Sequence, residues 1–175
     1  ESDISQYLNG ITGASYYYEY YNRLWATTVL NNDRELESAF SYLYQISTAT
    51  NAPLQLIKDK EAAGKDVFEN MTETDRTTLK RYKGELLFMR AVGYWYLART
   101  WAPPYNPSGT NDGKYFVLAR TYINGADEIK NASLATVAEV YNSIVQDLKD
   151  AIDVLPTSYV SNEKSPRSRV NKYAA

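Results

Sequence analysis

The segment Lys83–Tyr105, KGELLFMRAVGYWYLARTWAPPY, constrains this chain more than any other stretch. Between Glu85 and Arg99 lie thirteen residues with one charge among them, Arg90, and the run closes on Pro103 and Pro104. Leu79, Tyr82, Leu86, Met89, Gly93 and Tyr96 recur at steps of three and four. Leu87, Arg90, Tyr94, Leu97 and Trp101 form a second seam beside them. The pattern predicts a helix over about Glu73–Trp101, covered on most sides. A guanidinium there cannot stay unpaired, because a buried charge needs a carboxylate or several carbonyls. Glu85 is poorly placed on the same helix, whereas Asp147 or Asp150 could reach Arg90 from a later one. Arg90, Glu85 and Gly93 are therefore read as structural, Arg90 as a clamp between helices. The small residues Ala91, Gly93 and Ala98 let a neighbouring helix come close.

Four further helical segments are expected. The first runs from about Ser15 to Thr28 and is ringed by tyrosines; Asp33 then caps the next. The second covers about Arg34–Lys60, with Pro53 expected to kink or split it. After the central helix comes a long connection, residues 103–132, with KYFVLART in its middle reading as a short strand. Thr136 and Glu139 form a capping box, followed by Leu134, Val137, Tyr141, Ile144, Leu148, Ile152 and Leu155 at helical spacing and a stop at Pro156. A fifth helix is expected from near Arg169, with the chain stopping inside it, so the sequence reads as a piece of a longer protein. The class is all-α, in antiparallel helical pairs with one long irregular loop. Gly93 and Tyr96 hold the Gly-x-x-Tyr spacing of a tetratricopeptide helix, without a clean 34-residue repeat.

The 175 residues suit one domain, and a formal charge of −2 gives no basic field for nucleic acid or an anionic membrane. Lys164, Arg167, Arg169 and Lys172 read as a solvated loop entering a helix. With no histidine and no cysteine, Ser-His-Asp catalysis, thiol nucleophiles and Cys-ligated zinc are excluded. SGTNDGKYFVLA fails as a calcium loop, because Ala119 stands where the bidentate Glu is needed. No phosphate loop or dinucleotide fingerprint is present, so neither cofactor nor metal is expected. The acids, such as Asp147 with Asp150, read as charge on polar helix faces. Tyrosine is the outlier at 17 residues. Trp25, Trp101, Tyr105 and Asn106 are the candidate ligand-binding residues: rings that stack on sugar C–H faces, beside a side-chain amide. Ordinary helix-end packing explains Trp101 and Tyr105 equally well.

Gly84, Glu85, Phe88, Arg90, Ala91, Tyr94 and Leu97 match a G-E-x-x-F-x-R-A-x-x-Y-x-x-L helix. EVYNSIVQDLKDAIDVLP, residues 139–156, matches E-V-Y-x-x-I-x-x-D-L-x-x-A-x-x-x-L-P, and RVNKYAA is similar to the start of a following repeat helix. Taken as a set, these motifs resemble the N-terminal portion of the SusD/RagB family, over about residues 35–175. LYQISTATNAPLQLI is similar to an earlier family helix, departing from it at Thr50 and Pro53. The resemblance implies a tetratricopeptide-like scaffold in an outer-membrane lipoprotein that faces outward. It implies capture of oligosaccharides or other nutrients, as the lid of a SusC-like TonB-dependent transporter. The lipid-bearing cysteine would lie upstream of Glu1 and the rest of the ligand site downstream. The implied chemistry is binding. A helical-repeat scaffold that binds only protein, with no small-ligand site of its own, is the alternative.

Overall fold

Why the central helix starts and stops where it does is visible at its ends. In the computed structural model, which describes residues 34–123, 132–159 and 169–175, it spans Glu73–Trp101. Thr72 caps it, its hydroxyl accepting from Asp75 N at 3.2 Å, with Glu73 and Asp75 set at the positive end of the helix dipole. Ala102 closes it, donating its N–H to Ala98 O at 3.1 Å before the two prolines.

The elements in order are α1 (Arg34–Ala62), α2 (Glu73–Trp101), β1 (Lys114–Val117), β2 (Leu134–Thr136) and α3 (Val137–Val154). The chain divides into two compact units, residues 1–41 and 42–175. Of the first, only the opening turns of α1 are among the described residues. The helix expected over Ser15–Thr28 and its Asp33 cap lie outside the described residues, as does Trp25.

Of the kink or split expected at Pro53, the split does not occur: α1 runs on past it as one helix. Three residues upstream, the Thr50 hydroxyl back-bonds to Ile46 O and Ser47 O, both at 2.9 Å, so its polar group is satisfied within the helix. Its end is a Schellman turn: Gly64, at φ 65°, sits at C′, with Gly64 N donating to Glu61 O and Lys65 N to Lys60 O, both at 3.0 Å.

Helix α3 carries the expected capping box, with Glu139 N to Thr136 Oγ1 at 3.1 Å and Thr136 N to Glu139 Oε2 at 2.7 Å. Val137, Val140, Ile144, Asp147 and Ala151 form its buried stripe. Leu134, which its spacing assigned to this helix, lies instead in β2. Residues 134–136 pair antiparallel with the expected strand, Phe116 against Ala135 and Val117 against Leu134. The three residues of β2 are too few to show an alternation in sequence.

Residue pairs set the helix directions. Ser47 meets Tyr94, Asn51 meets Arg90 and Glu61 meets Lys83, so α1 and α2 are antiparallel. Arg90 meets Asp147, and Gly84 meets Leu155, so α2 and α3 are antiparallel as well. Leu54, Leu87, Ala151 and Leu155 form a core cluster, with Leu86, Phe88, Val170 and Ala175 against it. Within α2 the second seam is the buried one: Leu87, Arg90, Tyr94 and Leu97, joined by Gly84, Ala91, Gly93 and Ala98. The first seam is not covered as expected. Tyr82, Met89 and Tyr96 are exposed, because α1 and α3 meet α2 along Leu87, Arg90 and Tyr94.

The fifth helix does not form over the described residues 169–175. Asn171 Oδ1 accepts from Tyr173 N and Ala174 N, as an N-cap would, but a single turn follows.

Candidate functional site

The polar interior explains how the long connection is held. Arg90 donates to both oxygens of Asp147, Nε to Oδ2 and Nη2 to Oδ1, each at 2.8 Å. Asp147 rather than Asp150 is its partner; Asp150 accepts from Gln146 at 2.6 Å. Asp147 is fully buried and also lies 2.8 Å from Arg120 Nη2. Arg120 Nη1 donates to Ser143 O at 3.2 Å and to the Ser143 hydroxyl. The remaining Arg90 nitrogen, Nη1, donates to Asn51 Oδ1 at 2.9 Å. Asn51 in turn donates Nδ2 to Ala119 O at 2.9 Å and Thr121 O at 3.2 Å.

Tyrosines complete this web. Tyr94 OH donates to Ala119 O at 2.7 Å, which leaves it to accept from Ser47 Oγ at 2.8 Å. Tyr44 OH donates to Val117 O at 2.8 Å. Burial, with Tyr94 nearby, pushes the Tyr44 phenol up to about 12, and burial also raises Tyr94. Both therefore remain protonated donors at neutral pH. Successive loop carbonyls, Val117, Ala119 and Thr121, are each taken by a helix side chain. The segment leaving β1 is thereby bolted to all three helices. Sequence reading found Arg90 and its carboxylate but missed Asn51, Ser47, Tyr94 and Arg120 as members. For Ser47 and Asn51 the signal was a polar group at 47, 50 and 51, three and four apart, on an otherwise ordinary helix.

Of the candidate ligand residues, Trp25 is outside the described residues, while Trp101, Tyr105 and Asn106 lie at the exit of α2. Trp101 is half-buried in its last turn. The prolines extend the chain, and Tyr105 emerges exposed, its ring 5.2 Å from that of Tyr141 on α3. Tyr141 was missed as a partner, having been read as part of the α3 packing face. Asn106 opens a loop that bonds to itself. Asn106 Oδ1 accepts from Ser108 N at 3.0 Å, and Asn106 N donates to Asn111 Oδ1 at 2.8 Å. Asn111 Nδ2 returns to Asn106 O at 2.8 Å. The loop then closes on α3: Asn111 O and Gly113 O accept from Ala138 N and Val137 N at 2.9 Å, filling the helix's first donors. The structure thus sets Tyr105, Asn106 and Tyr141 on one rigid corner. Gly93 lies elsewhere, buried against α1, where an added Cβ would stand 3.4 Å from Ile46 Cγ2.

Glu85, also singled out, sits near the middle of α2. Arg169 grips it in a bidentate pair, Nη2 to Oε1 at 2.7 Å and to Oε2 at 2.9 Å. Tyr159 OH lies 3.1 Å from Glu85 Oε1 and donates to Val170 O at 2.5 Å. The Arg169 guanidinium stands 5.4 Å from the ring centres of both Tyr82 and Tyr159. Arg169, expected in a solvated loop, is instead a fastening. Among the described residues, no group of three His, Cys, Asp or Glu could hold a metal ion, and no helix is long and apolar enough to cross a membrane.

Comparison with known proteins places this architecture. A family model, SusD-like, described as "starch-binding associating with outer membrane", matches residues 2–175. A SusD-like protein from Bacteroides fragilis NCTC 9343 is 22% identical, with a TM-score of 0.59 over 85% of this chain and 23% of that one. A putative sugar-binding protein from Bacteroides vulgatus ATCC 8482 is 23% identical, with a TM-score of 0.57 over 78% of this chain and 26% of that one. A SusD superfamily protein from Bacteroides fragilis is 30% identical, with a TM-score of 0.54 over 74% of this chain and 27% of that one. The chain spans about a quarter of the length of these solved structures. No curated protein matches it.

Proposed function

Because this chain belongs to the SusD-like family, whose model covers residues 2–175, we propose that it captures oligosaccharides outside the cell. In this reading residues 1–175 are the N-terminal helical part of a lipid-anchored outer-membrane protein. It works as the lid of a SusC-like TonB-dependent transporter, and its chemistry is binding without catalysis.

The observation that carries the reading is the corner at the end of α2. Tyr105 is 45% exposed, yet Tyr141 backs its ring and the Asn106–Asn111 bonds hold its loop. A ring already held in place loses little freedom on stacking against a sugar. Trp101 and Asn106 flank it, and Trp25 is proposed as a further contact. The starch-binding character of the family and the neighbour described as a putative sugar-binding protein support a glycan as the ligand.

The test is titration of the purified protein with a panel of neutral oligosaccharides, followed by tryptophan fluorescence. Binding is expected, and Tyr105→Ala should weaken it about tenfold or more. A broad panel without any binding would remove the glycan assignment. The protein-scaffold reading draws on the exposed Tyr82, Met89 and Tyr96 along α2. Co-purification with a β-barrel, without any glycan response, would favour it.

A further inference from the structure

A cavity lies among the helices on the side away from Tyr105. It has a volume of about 270 Å³ and is lined by the C-terminal half of α1, the middle of α2 from Lys83 to Arg90, Asp150 of α3 and Arg120. That volume lies just under the usual range for ligand pockets, about 300–1,000 Å³, and suits one small ligand.

Its charges do not cancel. Lys58, Lys83, Arg90 and Arg120 line it, against Glu61 and Asp150. Lys83 is paired with Glu61 at 3.0 Å. Asp147, behind the two arginines, is one carboxylate shared by two guanidiniums at 2.8 Å each. In the lining itself four cations face two carboxylates, while Asp147 stands behind the two arginines and Asp59 behind Gln55, from which it accepts. Arg120 is the exposed member of that pair of arginines, at 34% against 5% for Arg90, and so is the one a ligand can reach. Lys58 adds a solvent-facing ammonium at the rim.

An unused acceptor lies in the same wall. Gln55 Oε1 is buried and has no hydrogen-bond partner. The amide cannot be turned to relieve it, because Gln55 Nε2 donates to Asp59 Oδ1, an obligate acceptor, at 2.5 Å. A buried carbonyl without a donor is costly, and a hydroxyl would satisfy it. Leu54, Ile57 and Leu87 supply apolar wall for a C–H face.

Taken together, these features lead us to infer that the cavity is a subsite for an anionic monosaccharide unit, its carboxylate or sulfate ester held by Arg120 and Lys58 and a hydroxyl by Gln55. The inference rests on the glycan-capture reading and names the class of sugar involved. It is separate from the Tyr105 corner, so the two can fail independently.

The experiment is NMR titration of the 175-residue protein with D-glucuronate, glucose 6-sulfate and D-glucose, alongside the neutral oligosaccharide panel. At least one anionic sugar is expected to bind about tenfold or more tightly than glucose, and more weakly as salt rises. The comparison of glucuronate with glucose 6-sulfate tells carboxylate from sulfate. Gln55→Leu and Lys58→Met should each weaken binding several-fold, and Arg120→Met should abolish it. Because Arg120 also braces Asp147, the two milder variants carry the test if Arg120→Met does not fold. Anionic sugars that bind no better than glucose, or binding indifferent to both Gln55→Leu and Lys58→Met, would overturn the subsite. Neutral oligosaccharides that bind and are lost with Tyr105→Ala would meanwhile leave the capture reading intact.

Discussion

Helix α2 carries two arginine–carboxylate pairs built with the same chemistry and set in different surroundings. In one, Arg90 holds Asp147 with both partners inside, 5% and 0% exposed. In the other, Arg169 holds Glu85 with both partners near the surface, 22% and 23% exposed. Each is bidentate, with N–O distances of 2.7–3.0 Å. Geometry therefore does not distinguish them; solvent does. Water can replace Arg169 at Glu85, but nothing can replace Arg90 at Asp147 except Arg120, so the inner pair should dominate the energetics.

Breaking the inner pair should have the largest effect. Arg90→Ala leaves Asp147 buried with one partner and orphans Asn51 Oδ1, and is expected to cost about 3–5 kcal/mol. Arg90→Met keeps the volume and should lose less while loosening α2 against α3. Urea unfolding measures both, and an Arg90→Ala chain that melts like the parent would break the comparison. Salt should leave the parent-to-variant difference nearly unchanged, because both Arg90 and Asp147 are buried.

Packing beside the outer pair comes next. Gly84 precedes Glu85, and an added Cβ would stand 2.8 Å from Leu155 Cγ and 2.9 Å from Val154 Cγ2. Gly84→Ala should therefore cost about 1–3 kcal/mol by overpacking. Gly93→Ala meets only Ile46 at 3.4 Å and should be neutral or stabilising by up to about 1 kcal/mol, since alanine favours helix. Equal losses at the two glycines would show that the α2–α3 contact is no tighter than the α1–α2 contact. The outer pair itself ranks third. Arg169→Ala should cost about 0.2–1 kcal/mol, and the loss should shrink in molar salt.

How much of this was readable beforehand follows the same division between local and distant partners. The extent of α2, the Thr136–Glu139 box and the stop at Pro156 were legible, because each depends on residues within one turn of each other. Arg90 was legible by contradiction: a charge in an apolar run demands a carboxylate, and α3 offered two. Arg169 was not, since its partner lies 84 residues away and a basic loop residue carries no mark of being claimed. Asn51 and Tyr94 were missed because they bond to loop carbonyls, which every residue owns and no side-chain pattern announces. At the ligand corner Tyr105 and Asn106 were legible as a ring and an amide after two prolines. Tyr141 was not, because a tyrosine at helical spacing looks the same whether it packs inward or braces a neighbour.

A third carboxylate, Glu139, takes the comparison to its solvent-exposed limit and gives the smallest expected effect. It pairs with no cation in the capping box; the hydrogen bond from the Thr136 backbone N–H, and then that from its hydroxyl, hold its carboxyl below the usual range. A carboxyl depressed by folding adds stability at pH values above its unfolded value, about 4.3, and loses it as pH falls through the lower folded value. Acidification below about 4.3 should therefore destabilise the parent more than Glu139→Gln, whose amide can still accept from Thr136 but does not titrate. Every other residue is common to both chains, so the difference between the two Tm-against-pH curves isolates Glu139. A difference that stays flat from pH 6 to pH 3 would mean that the cap holds no better charged than neutral. In that case burial of the acid, and not its ionic state, would account for the whole contrast between Asp147 and the surface.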